Sequence, residues 1–196
     1  MSVDELEQRF TAMLQRLAEV YDGIGHSTGR PYLYFVYPPD KDQALRRWAD
    51  EQMTGSDSLS YLHIDLVQIT IESLRGQETR RAEHLNDPIK RDDAGKSIVR
   101  LWARQLEKQI GAYLAHPSRS GRPVVVLRGM AALYPLGNPT HLMEAIAERE
   151  PRDPHTNKVI PFVLLVPGTH PPQSSRTYDF LGLEDQRLSF YRGEEI

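Results

Sequence analysis

The sequence contains no cysteine among its 196 residues. Disulfide bonds, thiol nucleophiles and cysteine metal clusters are therefore excluded. The sequence also lacks any apolar run close to the ~20 residues that a transmembrane helix requires. Its amino-terminal segment is acidic and amphipathic, unlike a secretory signal peptide with a basic start and an apolar middle. We therefore expect a protein of the cytoplasm that has no membrane partner.

The chain also has no excess of positive charge, because its formal net charge is -3. Nucleic-acid-binding domains usually have a basic balance, so the composition gives no general support for DNA as a direct partner. The length is sufficient for one domain that buries roughly 70% of its unfolded surface. We predict a single domain over residues 1–196, beginning with an amphipathic helix over 2–22 in which Ser2 and Glu5 form a capping box.

The usual motifs for catalysis and nucleotide binding do not occur. GxxxxGK[ST], HExxH and GxSxG are all absent. The predicted first strand is followed by Pro38 and Pro39, which lack the N–H groups that a phosphate cradle needs. Gly23–Arg30 is rich in glycine, but it follows a helix and precedes a strand, the reverse of the order in a phosphate loop, so we interpret it as a connector. The sequence predicts no catalytic residue, no metal site and no cofactor.

Histidines are the remaining candidates for chemistry. His63 and Asp65 would share one face of a predicted strand, which is compatible with a general base. Two polar residues on a solvated face explain the same spacing more simply. His170 lies in a loop between Thr169 and Pro171, and a structural histidine is again the more ordinary interpretation.

Apolar segments alternate with amphipathic ones along most of the chain. The predicted strands are 31–37, 61–67, 123–127, 159–166 and 187–192. Helices lie between most of them. Asn138 and Pro139 suit the N-cap and first position of one, and Asp40 is the predicted cap of another. This order predicts an α/β fold with a mainly parallel sheet of about five strands and helices on both faces. A charged insertion over about 72–97 is predicted to be a solvated helix and a loop, before a long helix over 97–115.

Polar residues and glycines follow several of these strands. Because right-handed crossovers bring the loops after Tyr37, Arg128 and Val166 to one edge of the sheet, a ligand would bind there. The candidate binding residues in these loops are Asp40, Arg128, Gly129, Tyr134, Pro135, Gly168, Thr169, His170 and Arg176. Tyr134, Tyr178, Tyr191 and Arg192 are candidate partner contacts, since aromatic and arginine side chains are favoured interface anchors. Core packing explains each tyrosine at least as well.

Three stretches together point to a family. They are RGMAALYPLGNPTHLMEAI at 128–146, PFVLLVPGTHPP at 161–172 and LSFYRGEEI at 188–196. This combination resembles the BrxB family of BREX phage-defence systems. The matching positions are Gly129, Tyr134-Pro135, Leu142–Ile146, Pro167-Gly168, Tyr191-Arg192 and Ile196. The likeness is strong in the carboxy-terminal half and loose in the front half, and the acidic Gly193–Glu195 ending and the long Glu148–Lys158 loop depart from it.

The resemblance implies a non-enzymatic adaptor of a bacterial anti-phage complex. Such an adaptor would dock a PglZ-like protein of the phosphatase fold, other BREX components and the large ATPase of the system. The order of elements also looks like a P-loop NTPase or AAA-like core that lacks the Walker motifs.

Two other functions stay open at this point. A protein that binds a nucleotide or another phosphate ligand would use Arg128, His170 and Arg176. A DNA-binding subunit would use a second set of basic residues, which are Arg80, Arg81, Lys90, Arg91, Arg119 and Arg122.

Overall fold

The computed structural model describes residues 2–23, 31–56, 58–116, 120–147, 150–172, 174 and 176–196. The predicted connector over Gly23–Arg30 therefore lies outside the described residues, apart from Gly23. The α-helices in these ranges are Val3–Val20 (α1), Asp42–Gln52 (α2), Leu66–Leu74 (α3), Glu78–Asn86 (α4), Arg91–Leu114 (α5) and Pro139–Ala147 (α6). The strands are Tyr32–Tyr37 (β1), Leu59–Asp65 (β2), Arg122–Arg128 (β3), Phe162–Thr169 (β4), Thr177–Phe180 (β5), Arg187–Ser189 (β6) and Gly193–Glu195 (β7).

Five of the strands form a parallel sheet in the order β2-β3-β4-β1-β7. The end of β4 also pairs with β5 in the antiparallel direction, and β5 pairs with β6. The prediction of an α/β fold with a mainly parallel sheet is confirmed. The sheet of the described residues has seven strands, whereas the sequence predicts about five. The difference arises because residues 177–189 fold back as a hairpin. The predicted last strand over 187–192 divides into β6, a turn and the edge strand β7.

Two apolar layers cover the sheet, one on each face. On one face α1 and α2 pack on β1, where Phe10 meets Phe35 with ring centroids 5.6 Å apart. On the other face α3, α5 and α6 pack on the opposite side chains of the strands, with Trp102 fully buried at the centre. Alternation along β1 explains both layers, because successive residues of a strand point to opposite faces.

The charged insertion is more helical than predicted. The long helix α5 starts at Arg91, six positions before the predicted start at Ser97. Ala94 and Gly95 are buried against the fold, so the charges around them form the solvated face of one continuous helix. Asp92 and Asp93 in the first turn complement the helix dipole.

Local capping was predicted correctly in two helices and wrongly in a third. The Ser2 side chain accepts a hydrogen bond from the Glu5 N–H at 3.1 Å, and the Asn138 side chain accepts one from the His141 N–H at 3.0 Å. Asp40, predicted to cap α2, instead lies in a 3-10 turn over Pro39–Lys41 that precedes this helix. The two prolines favour that tight turn, since their φ angles are fixed.

No α-helix in the described ranges is both long enough and apolar enough to cross a bilayer.

Gly193 provides a test of the edge strand β7. It is buried opposite Tyr32, and a Cβ atom at this position would lie 2.6 Å from a ring carbon of Tyr34. We expect Gly193→Ala to lower the free energy of unfolding by about 1–3 kcal/mol, the usual cost of overpacking.

Gly111 is the matched control, since nothing lies within 4 Å of its would-be Cβ. It lies within α5, where alanine is preferred over glycine, so Gly111→Ala should stabilise the fold by about 0.5–1 kcal/mol. Chemical denaturation of both variants measures the difference. Equal effects of the two substitutions would contradict the packing of β7 on β1.

Candidate functional site

Charged side chains from two strands and one helix meet at the carboxyl edge of the sheet, together with a tyrosine from a third strand. We call this group the edge network. It consists of Tyr37 at the end of β1, Asp65 at the end of β2, Arg128 at the end of β3, and Asp42, Arg46 and Asp50 on α2. This is the edge where open α/β sheets usually bind ligands.

Asp65 is the centre of the edge network. Its Oδ2 atom accepts a hydrogen bond from Arg46 Nη1 at 2.6 Å and lies 3.7 Å from Arg128 Nε. Its Oδ1 atom accepts the Val67 N–H at 2.9 Å and thereby caps α3. One carboxylate therefore joins β2, β3, α2 and α3. This cap also ends β2 at Asp65 rather than at Val67 as predicted.

The remaining contacts pair the other charges. Arg46 Nε donates to Asp42 at 2.7 Å, and the Tyr37 hydroxyl donates to the same carboxylate at 2.5 Å. Arg128 Nη1 donates to Asp50. Burial alone would lower the pKa of Arg46, but the hydrogen bonds that it donates to Asp42 and Asp65 outweigh burial and raise that pKa. Burial and the bond to Asp42 raise the pKa of Tyr37, so this hydroxyl stays protonated.

Gly129 allows the edge network to close. Its φ angle is +70°, in the left-handed region that favours glycine. A side chain here would meet the Asp65 carboxylate and would come within 3.1 Å of Arg46 Nη2. The predicted binding residue Gly129 therefore makes room for the ion pairs of Asp65.

The other residues predicted at this edge do not join the network. Asp40 is exposed and pairs with its neighbour Lys41 at 2.8 Å, and this hydrogen bond lowers the pKa of Asp40. Thr169 is an exposed residue that pairs with Asp179 of β5. Gly168 admits β5, since a Cβ atom there would lie 2.8 Å from the Asp179 carbonyl oxygen.

The carboxy-terminal segment provides partners for two more predicted residues. His170 Nε2 lies 2.9 Å from the Glu195 carboxylate, which also accepts a hydrogen bond from Arg9 at 3.1 Å. Arg192 pairs with Glu150 at 3.0 Å. Arg176 is exposed and lines a cleft of about 650 Å³ together with Arg192, Glu194 and Glu195. Arg128, His170 and Arg176 were proposed together as phosphate ligands, but Arg128 has different neighbours from the other two, and Arg128 and His170 each lie against a carboxylate.

Tyr178 and Tyr191 belong to a group of packed aromatic rings that we call the aromatic layer. It also includes Tyr32, Tyr34 and Phe190. Tyr178 is fully buried, and its ring lies 5.3 Å from that of Phe190. Tyr191 is half-buried and stacks on Tyr32. Burial raises the pKa of Tyr32 to about 12 and raises the pKa of Tyr178 as well. In the folded protein these phenols stay neutral, whereas tyrosines of the unfolded chain ionise near pH 10. The stability that they contribute is therefore complete below about pH 10 and is lost as the pH rises above it.

Tyr134 is not a member of the edge network, and the adjacent Pro135 lines a different concavity. A cleft of about 510 Å³ separates part of α5 from α6, and we call it the α5–α6 cleft. Its apolar lining includes Val99, Pro135, Leu136 and Ala145, and its charged lining includes Lys96 and Arg100. Tyr134 is 43% exposed, and its peptide bond to Pro135 is cis.

Sequence reasoning missed most of the edge network. Of its six members it named only Arg128 as a site residue and considered Asp65 as a possible base. Asp42, Arg46 and Asp50 follow one another at four-residue spacing, which signals a charged ladder along one face of a helix. That signal was available in the sequence, but Asp50 pairs with Arg128, 78 positions away, instead of with Arg46.

Comparison with protein-family models, with curated proteins and with solved structures found no match for this chain. Among the described residues, no group of three or more His, Asp or Glu side chains is placed to hold a metal ion. The site must therefore be interpreted from its own geometry.

Replacement of Asp65 tests the edge network. Its side chain is 17% exposed, and its removal leaves Arg46 and Arg128 short of a partner and α3 without its cap. We expect Asp65→Ala to lower the free energy of unfolding by about 3 kcal/mol. Asp65→Asn should cost less, because the amide oxygen still caps α3.

Asp40→Ala is the control for this substitution, since that carboxylate is exposed and pairs with its neighbour Lys41. Urea unfolding of the three variants should leave the midpoint of Asp40→Ala unchanged. A midpoint for Asp65→Ala equal to that of the parent protein would refute the central role of Asp65.

The aromatic layer provides a matched pair of phenol deletions. The Tyr34 hydroxyl donates to the Tyr191 carbonyl oxygen at 3.1 Å, whereas the Tyr178 hydroxyl is buried with no hydrogen-bond partner among the described residues. Tyr34→Phe should cost about 1 kcal/mol, and Tyr178→Phe should be neutral or stabilising. Thermal unfolding at pH 7 measures both, and the reverse order would be incompatible with these contacts.

Proposed function

We propose that this protein is a non-enzymatic adaptor of a BREX-type anti-phage complex, in which it docks a PglZ-like protein of the phosphatase fold. The observation that supports an adaptor over an enzyme is the edge network. At the sheet edge where a ligand would be expected, Arg46 and Arg128 already hold the carboxylates of Asp42, Asp50 and Asp65. A phosphate ligand would have to displace an internal carboxylate to reach either cation.

The first turn of α2 supports the same interpretation in more detail. In a P-loop-like core the helix after the first strand presents free N–H groups to a phosphate. Here that strand is followed by Pro38 and Pro39, and α2 carries Asp42 in its first turn. The Asp42 carboxylate supplies the negative charge that favours a helix amino terminus. We infer a P-loop-like α/β core in which a side chain takes the place of the ligand.

The docking surface that best fits the proposal lies beside α3 and the α5–α6 cleft. Val67 and Ile71 are exposed apolar residues one turn apart on α3, and Ile71 is 53% exposed. The short helical turn before Tyr134 packs against α3. Exposed aliphatic and aromatic side chains next to a cleft with a mixed apolar and charged lining are features of protein interfaces. The identity of the partner rests on the resemblance to BrxB.

The complex itself is the test. We expect the purified chain to bind a PglZ-like protein of a BREX system in a pull-down at micromolar concentration. Tyr134→Ser combined with Ile71→Ser should weaken the complex by about thirtyfold, the usual effect of removing an interface anchor. Ile89→Ser is the control, because this side chain is 90% exposed but lies on another surface.

Two results would refute the adaptor proposal. The first is the absence of a complex between the folded parent protein and the PglZ-like protein. The second is a nucleotide effect, since Mg-ATP at one hundred times its dissociation constant would stabilise a binding protein by about 2.7 kcal/mol. Turnover of ATP by the purified protein would have the same meaning.

A further inference from the structure

The facing surfaces of α4 and α5 carry an unusual set of side chains. The residues on the α4 side are Gln77, Arg80, Arg81 and His84, which follow one another at helical spacing. The α5 side contributes Lys90, Asp93, Ala94 and Ser97, with the same spacing. Between them lies a groove of about 520 Å³, which we call the α4–α5 groove.

A stripe with this spacing normally carries the apolar residues by which a helix packs. In α4 no residue is buried, and the stripe that faces α5 carries two arginines instead. The two helices also meet through a polar contact, in which Arg81 Nη1 donates a hydrogen bond to Ser97 Oγ at 3.1 Å. The half-buried Leu85 supplies the apolar packing of α4 on the core, so packing does not explain why arginine occupies these positions.

The cations of the groove are only partly compensated. Lys90 pairs with Asp87 at 3.1 Å, but Arg81 contacts only the neutral oxygens of Ser97 and Gln77. In the described part of the chain Arg80 has no ion-pair partner. Of the described residues, Asp93 is the one carboxylate that lines the groove, although the whole chain has a net charge of -3. The groove thus concentrates positive charge on an acidic protein.

This contrasts with the edge network, where each arginine already holds two carboxylates. Arginine has a planar fork of N–H donors that matches the oxygens of a phosphate. A concave site with a volume of several hundred Å³ suits a small ligand, whereas a duplex would need cations spread along an open surface. Arg91 and Arg122, the other described cations suggested for DNA, do not line this groove. Arg122 instead stacks over Tyr21.

We propose that the α4–α5 groove binds a small molecule that carries a phosphate or pyrophosphate group, held by Arg80 and Arg81 with Lys90 and Ser97 beside them. This site is independent of the adaptor function, because it uses neither the edge network nor the α5–α6 cleft. Binding of the ligand would bridge α4 to α5.

Calorimetric titration of the full chain with inorganic pyrophosphate tests the proposal. We expect saturable binding in low salt that Arg80→Ala combined with Arg81→Ala weakens about tenfold or more, since each charge-assisted bond contributes substantially. Arg47→Ala combined with Arg104→Ala is the control, because these exposed arginines make the same change in net charge outside the groove. The control variant should bind as the parent does.

A second variant separates loss of binding from loss of structure. Ser97→Asp places a carboxylate next to Arg81, where it should hold the guanidinium and exclude pyrophosphate while the melting temperature stays the same or rises. Equal binding by this variant and the parent would overturn the proposal. So would binding that the Arg47/Arg104 control loses to the same extent as the groove variant.

A nucleic acid carries the same phosphate groups and is the alternative ligand. A titration with a single-stranded oligonucleotide of about a dozen residues distinguishes it, because polyanion binding weakens steeply with salt. Affinity for the oligonucleotide that is tenfold above that for pyrophosphate would identify a nucleic-acid surface and refute a small-ligand site. The complex with the PglZ-like protein should be unaffected by the groove variants in either case.

Discussion

The Asp65 carboxylate is the constraint on which the functional surfaces of this fold depend. It pairs with Arg46 of α2, lies near Arg128 of β3 and caps α3 through the Val67 N–H. Because β2, β3 and α2 meet at this one side chain, the loops at the carboxyl edge have a fixed geometry. The cap formed by Asp65 sets the start of α3. Val67 and Ile71 are exposed on the outer face of that helix.

Charge is used differently on the two sides of the molecule. At the carboxyl edge the arginines and carboxylates neutralise each other, and Gly129 provides the room that this requires. Between α4 and α5 arginines face a groove with a single carboxylate. A paired arginine is costly to recruit for a ligand, because its carboxylate would be left partly buried and unpaired. An unpaired arginine has no such cost. The physical difference between the two places is the presence of an internal counter-ion.

The charged insertion connects the fold with these surfaces. Most of its residues are polar because α4 has no buried residue and the first turns of α5 bury only one side of the helix, at Ala94 and Gly95. Val99 and Trp102 farther along α5 are buried, so the same helix joins the core to the solvated grooves. The α5–α6 cleft and the α4–α5 groove both use the amino-terminal part of α5, on different sides of that helix.

Local signals in the sequence determined the class of fold, the caps at Ser2 and Asn138, and the buried strands β1, β3 and β4, because each depends on residues a few positions apart. The carboxyl edge was placed correctly for a related reason, since parallel strands with helical crossovers must end on the same side. The tertiary structure alone decided which charges pair. Arg128 meets Asp50 across 78 positions, Arg192 meets Glu150 across 42, and His170 meets Glu195 across 25. Ion pairs between distant segments leave no periodicity in a sequence, so only the folded chain distinguishes a cation with a partner from one that can still accept a ligand.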